Sequence, residues 1–256
     1  MSAQVCVVTG STGNNGTGSA TVKHFASKGW KVVVNYSRSA DAAVQVEAEC
    51  RGLGAADVLS IQADVTRDED CRRLAKTVED AWGRCDLLVN NAATTKFVQH
   101  RNLEDLSGDD FQNIFNVNVT GIYQMTRAFA GLLRKTGGAS VVNISSMGGV
   151  MGTGSCMAYG ASKAALNAMT MSFARVLGPE VRVNAVLPGF ITGDWLMNGM
   201  GDERYEQFMQ QYRNRSPLDT VLDPQDVADA VWWLATAPGK LTAELIHLDC
   251  GSRIGR

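Results

Sequence analysis

Val5-Cys6-Val7-Val8-Thr9-Gly10-Ser11-Thr12-Gly13-Asn14-Asn15-Gly16-Thr17-Gly18 runs from an apolar, mostly β-branched segment into a glycine-rich turn. Such a segment reads as a buried strand. The stretch after the turn carries Val22, Phe25 and Ala26 on one helical face. Glycines between a strand and a helix let the backbone turn tightly and approach a pyrophosphate at the positive end of the helix. An isolated Gly-rich segment could equally be a flexible turn. Its place between the first strand and the first helix favours a nucleotide loop, with Gly10, Thr12, Gly16, Thr17 and Gly18 as candidate contacts.

The same alternation continues outward. Val32-Val33-Val34 precedes a helix over about 40–51, and Val58-Leu59-Ser60-Ile61 precedes a helix with Leu74, Val78, Ala81 and Trp82 as its stripe. Thr66 and Glu69 have the spacing of a capping box for that helix. Leu87-Leu88-Val89 follows, then a long helix capped by Ser107 and Asp110, and the strand Val141-Val142-Asn143-Ile144. A helix over about 156–177 is expected to bury Leu166, Met169, Phe173 and Leu177, ahead of strands at 181–186 and 245–248. Near-continuous apolar strands separated by helices mean a parallel sheet covered on both faces. With no linker, repeat or composition shift, residues 1–256 read as one doubly wound α/β domain of about seven strands. Residues about 190–222 are expected to form its substrate loop and helices.

Composition narrows the function. The chain is 45% hydrophobic and 20% charged, with a formal charge of −2 and no basic block. That argues against nucleic-acid binding. No apolar run approaches a membrane span, and Met1-Ser2-Ala3-Gln4 leads directly into the first strand, leaving no room for a signal peptide. The six cysteines contain no C-x-x-C pair, which suits reduced thiols in the cytoplasm and no metal site. His24 and His100 read as surface residues, and Cys156 as a packing residue.

A second signal is Tyr159-Gly160-Ala161-Ser162-Lys163 at the start of a helix. Tyr and Lys at this spacing share a helical face. A nearby ammonium favours the phenolate, so Lys163 is expected to pull Tyr159 toward working pH. Ser146, at the end of the strand Val141–Ile144, stands on the sheet edge where open parallel sheets place their ligands. The segment around Ser162 faintly matches a hydrolase elbow, but Ala164 stands where its second glycine belongs.

In these features the chain resembles the short-chain dehydrogenase/reductase family over nearly its full length, which implies a single Rossmann-like domain. The resemblance rests on the Thr9-Gly10 loop, Asp64-Val65, Asn90-Asn91-Ala92-Ala93 and Asn118 in Asn116-Val117-Asn118-Val119-Thr120-Gly121. It continues through Ser146, Tyr159, Lys163 and Pro188-Gly189-Phe190-Ile191-Thr192. It implies that Tyr159 is the acid–base residue, that Ser146 holds the substrate oxygen, and that Lys163 binds the nicotinamide ribose. Asn118 would join Lys163 to a proton path through water. Asp64 and Val65 would line the adenine, Asn91 and Ala92 lie under the cofactor, and Pro188, Gly189, Ile191 and Thr192 surround the carboxamide. A homotetramer or homodimer is the family expectation.

The departures are informative too. Ser11 to Asn15 put five residues between Thr9-Gly10 and Gly16-Thr17-Gly18, where the usual loop has three. That length is similar to the enoyl-carrier-protein reductases, which separate their Tyr and Lys by six residues. This chain keeps three between Tyr159 and Lys163, a ketoreductase arrangement. Thr242-Ala243 and Asp249-Cys250-Gly251 stand where the family has Thr-Gly and Asp-Gly-Gly. The second strand ends on Tyr36-Ser37-Arg38, without the carboxylate typical of NAD selectivity. Ser37 and Arg38 therefore point to NADP(H), ahead of NAD(H). Trp195 and Met197 are the candidate substrate contacts, and the stripe Tyr205, Phe208, Met209 and Tyr212 is either core or lid. A small or medium apolar carbonyl compound is the expected substrate. A 3-oxoacyl-carrier-protein reductase is the alternative; Arg134 and Lys135 would supply one part of its docking surface, but the other interface helix ends in Gly178-Pro179-Glu180, with an acid where a base would be wanted. A catalytically silent dinucleotide sensor should have lost Ser146, Tyr159 or Lys163, and this chain has all of them.

Overall fold

The computed structural model of the protein describes residues 3–13, 15–236 and 239–255. Met1, Ser2 and Asn14 of the sequence reading lie outside them. The first half of the chain contains β1 (Val5–Val8), α1 (Thr17–Ser27), β2 (Lys31–Tyr36), α2 (Ala40–Gly52), β3 (Asp57–Gln62), α3 (Asp68–Trp82) and β4 (Leu87–Asn90). After α4 (Gly108–Phe115) and α5 (Ile122–Thr136) come β5 (Ala139–Ile144), the single turn α6 (Gly148–Met151), α7 (Met157–Leu177) and β6 (Val181–Pro188). The short α8 (Asp194–Met200), α9 (Asp202–Arg215), α10 (Pro224–Thr236) and β7 (Leu245–Leu248) complete it.

All seven strands are parallel, in the order β3-β2-β1-β4-β5-β6-β7. The period of two along each strand divides the core. Val5, Val7, Val33, Leu88, Val141 and Val183 face one layer, where Leu74 and Val78 of α3, Met125 and Phe129 of α5 and Leu177 of α7 pack. Cys6, Val8, Val34, Val89 and Val186 face the other, with Phe25 of α1, Val46 of α2 and Val231 of α10. Order reverses between β1 and β4, so their carboxyl ends open a crevice at that point. No helix of the described residues is long and apolar enough to cross a membrane.

Local chemistry explains some of the boundaries. Ser107 and Asp110 form a reciprocal capping box at α4. Asn116–Gly121 is a π-helical turn joining α4 to α5, so the expected long helix carries a bulge at the Asn118 motif. Thr66 does not cap α3. Its hydroxyl and its N–H both donate to Asp64 Oδ1, at 2.7 and 2.9 Å, and Asp70 accepts from the Asp64 N–H instead. The helix therefore starts at Asp68, and its buried face is Cys71, Leu74, Ala75 and Val78, with Ala81 exposed. Met169 and Phe173 are half-buried, because only part of α7 lies on the sheet. His24 is wedged beside Phe25 and Trp232 with its side chain 13% exposed, so it is no free surface residue.

Candidate active site

A cleft of about 1530 Å³ lies over the carboxyl ends of the strands. Of the residues expected there, Gly10, Thr17, Ser37, Arg38, Asp64, Val65, Asn91, Ala92, Ser146, Tyr159, Lys163, Pro188, Gly189, Ile191, Thr192 and Trp195 line it. Thr12, Gly16, Gly18, Asn118 and Met197 stand outside its wall. Met197 is exposed and does not line the cleft, whereas its neighbours Trp195, Leu196 and Met200 do.

The glycine-rich turn is held from below. Asn35, a polar residue within the apolar strand β2, accepts the Gly10 N–H at 3.0 Å and donates to the carbonyls of Ile61 and Ala63. Asn91 donates to the carbonyls of Thr9 and Gly10, at 2.9 Å each. Gly18 packs onto the same point. A Cβ there would lie 2.4 Å from Gly10 O and 2.5 Å from Asn91 Nδ2, so only glycine lets α1 sit this close to β1. Gly18 is thus a packing glycine, and Asn15 and Thr17 present the loop to the cleft in its place. The longer loop also reaches sideways, where Asn15 Nδ2 donates to Asp194 Oδ1 at 3.3 Å.

Ser146, Tyr159 and Lys163 converge because α6 lies directly on α7. A Cβ on Gly149 would fall 2.6 Å from the Lys163 carbonyl carbon, so the glycines after Ser146 permit this approach. The Gly148 N–H donates to Ser146 Oγ at 3.0 Å, leaving the Ser146 O–H free to donate. Lys163 is fully buried; its Nζ donates to Ile144 O at 2.8 Å and lies 5.6 Å from the centre of the Tyr159 ring. Asn118 holds Thr94 by both its N–H and its carbonyl, and donates to Ser162 Oγ at 3.0 Å. Ser162 in turn donates to Tyr159 O at 2.7 Å, which commits that hydroxyl to structure.

The electrostatics correct one expectation. Burial pushes Tyr159 up to about 12, with a hydrogen bond from Ser146 opposing it, so the lysine does not bring the phenol to working pH. Burial pushes Lys163 down to about 7. Desolvation is the largest cause in both cases and favours the neutral form of each group.

Above Tyr159, Trp195 lies with ring centres 5.9 Å apart, and Phe97 is the same distance from Trp195. Tyr205 is core, its hydroxyl accepting the Gly193 N–H, whereas Phe208 and Tyr212 face the cleft. The stripe on α9 is therefore divided between core and wall. His100, expected at the surface, is half-buried and lines the cleft too.

Residues 10–253 match a family model described as enoyl-(acyl carrier protein) reductase. The chain belongs to the short-chain dehydrogenase/reductase family. As a member of it, the protein is an NAD(P)-dependent oxidoreductase. It is 35% identical over 254 residues to a 3-oxoacyl-[acyl-carrier-protein] reductase of Synechocystis, covering 98% of this chain and 97% of that one. A crystal structure described as a short-chain dehydrogenase/reductase from Burkholderia xenovorans superposes with a TM-score of 0.91, at 38% identity and full coverage of both chains. An NAD⁺-bound xylitol dehydrogenase does so with 0.88 at 27% identity, covering 97% and 98%.

The residues present fit a nicotinamide dinucleotide. Helix α1 makes its first bond at Ala20, so the N–H groups of Thr17, Gly18 and Ser19 lack helical acceptors, and its first turn holds no acid. Among the described residues, Asp64 is the only carboxylate lining the cleft. Phe97, Asn35 and Asn15 escaped the sequence reading. Of these only Asn35 left a signal, as the one amide in a buried β-branched run.

Proposed function

We propose that the protein is an NADPH-dependent reductase of small or medium carbonyl compounds, with Tyr159 as acid, Ser146 as the oxygen's hydrogen-bond donor and Lys163 behind them. The observation that carries it is the convergence of a Ser146 hydroxyl hydrogen-bonded to Tyr159, a neutral buried Tyr159 and a buried Lys163 at one wall of the cleft. A bound nicotinamide would supply the hydride to the carbonyl carbon, and Tyr159 would give its proton to the oxygen that takes the π pair. A tyrosine held near 12 keeps this proton at any physiological pH. The phenolate left behind raises the proton affinity of Lys163, which would take up a proton from solvent, and the resulting ammonium would stabilise the phenolate. Asn118 positions this machinery through Ser162 and Thr94.

Preference for NADP(H) is supported by Arg38, which lines the cleft beside Ser37 with no carboxylate at the end of β2. Exposed Tyr123 on α5, with Met157, Met171 and Val176 on α7, supports burial of these helices in a homotetramer. Substitution of Tyr159 by Phe removes only the proton donor. We expect NADPH oxidation with a panel of ketones to fall at least about 1000-fold while NADPH still binds. Near-normal turnover would refute the assignment. Cofactor binding by the wild type without turnover of any carbonyl compound would favour a sensor.

A further inference from the structure

The chain carries a net charge of −2, yet among the described residues its cleft is lined by Arg38, Arg101, Lys163, Arg204 and Arg215 against the single carboxylate of Asp64. Arg38 and Lys163 fall to the cofactor in the reading above. The other three have no such assignment. On α9 the residues that line the cleft are Arg204, Phe208, Gln211, Tyr212 and Arg215, a spacing that marks one helical face. Arg213, on the opposite face, pairs with Asp219. Arg204 and Arg215 have no ion pair among the described residues, and neither has Arg101 across the cleft. The place of Arg204 is telling, because the first turn of a helix disfavours a cation. Its guanidinium lies over the Phe208 ring, 5.5 Å from the centre, which holds it along the cleft wall.

The inner end of the cleft is different. Tyr159, Trp195 and Phe97 form an apolar aromatic wall around the reacting position. A substrate spanning both regions carries a carbonyl on an apolar segment and an anionic group farther out. We infer that the substrate bears a carboxylate or phosphate remote from its carbonyl, bound by Arg204 and Arg215 of α9 with Arg101 opposite. This rests on the carbonyl-reductase reading and narrows its substrate class from the neutral ketones expected from sequence. Guanidinium is suited to such a group because its planar fork donates two parallel bonds to carboxylate or phosphate.

The test compares matched pairs with NADPH. One arm uses 4-oxopentanoate, 5-oxohexanoate and 7-oxooctanoate, each against its methyl ester. The other uses acetoacetyl-4′-phosphopantetheine against acetoacetyl-pantetheine, so that a free carboxylate and the phosphate of a carrier-derived arm are told apart. At least one pair should show a kcat/KM ratio of charged to neutral member of 10 or more, expressed in KM. In the Arg204→Gln/Arg215→Gln double variant, checked for folding by circular dichroism, that ratio should fall toward 1. Arg204→Lys/Arg215→Lys should restore part of it, and Arg213→Gln should leave it unchanged. Ratios near 1 throughout in the wild type overturn the inference, as does a ratio that survives in the double variant or falls equally in Arg213→Gln. If no member of any pair is reduced, the carbonyl-reductase reading fails separately. Calorimetric titration of the same pairs into the NADPH-loaded protein still decides the inference: binding of the charged members alone upholds it, and no difference overturns it.

Discussion

Tyr159 and Lys163 show how burial sets the resting state of a site. Both groups are pushed to their neutral forms, the phenol to about 12 and the amine to about 7. The lysine shift carries a stability consequence. Between about pH 7 and the ordinary lysine value of 10.5 the unfolded chain holds a proton that the folded one lacks. Stability from this site therefore rises with pH across that window, by up to about 1.4 kcal/mol per pH unit. In Lys163→Met that slope should vanish, so urea unfolding of variant and wild type should converge as pH rises from 7 to 10. Parallel pH profiles would contradict a depressed lysine. Ala243 and Cys250 offer a second test. They stand where the resemblance leads one to expect glycine, and keep the left-handed backbone with φ of +65° and +53°. An L-residue there costs about 1–2 kcal/mol, against about 0.5–1 kcal/mol of extra chain entropy for glycine. Ala243→Gly and Cys250→Gly should each stabilise by about 0.5–1 kcal/mol and raise the thermal midpoint by about 1–4 °C. A lowered midpoint would show that other contacts hold these turns.

At the scale of elements, the cleft depends on close approaches of backbone to backbone. Helix α1 meets β1 through Gly18, and α6 meets α7 through Gly149. Gly18→Ala places its methyl group 2.4 Å from a backbone oxygen, so α1 must shift. Overpacking of this kind costs about 1–3 kcal/mol. The upper end is expected here, together with weaker NADPH binding, because the shift moves the N–H groups of Thr17 and Ser19. Gly16→Ala is the control, since the nearest atom to its new methyl lies 3.6 Å away. Denaturant midpoints and NADPH titrations of the two variants give the comparison; equal losses would mean that α1 is not seated on Gly18.

At the scale of the whole molecule, a chain with more acid than base gathers unpaired cations in one cleft. Several acids elsewhere are engaged in local pairs, such as Asp68 with Arg72 and Arg127, or Asp80 with Lys76. The cleft therefore faces anionic ligands with a positive field. Arg38 belongs to that field at the end of β2. Arg38→Ala should lower the NADPH-to-NADH efficiency ratio about 10–100-fold, the loss of one charge-assisted contact to a phosphate. An unchanged ratio would leave cofactor selectivity to the rest of the cleft.

The doubly wound sheet was legible in the sequence because parallel strands, buried on both faces, leave apolar β-branched runs that helical periodicity cannot imitate. So was the set Ser146, Tyr159 and Lys163, because two of its members share a helix and the third ends a strand. Contacts that join distant segments left no such mark. The packing role of Gly18, the hold of Asn118 on Thr94, and the division of α9 between core and cleft wall depend on what lies opposite each residue. The ionisation of Tyr159 and Lys163 was likewise decided by the tertiary structure. Helical spacing brings the two together, but only the surrounding core removes the water that would have stabilised their charges.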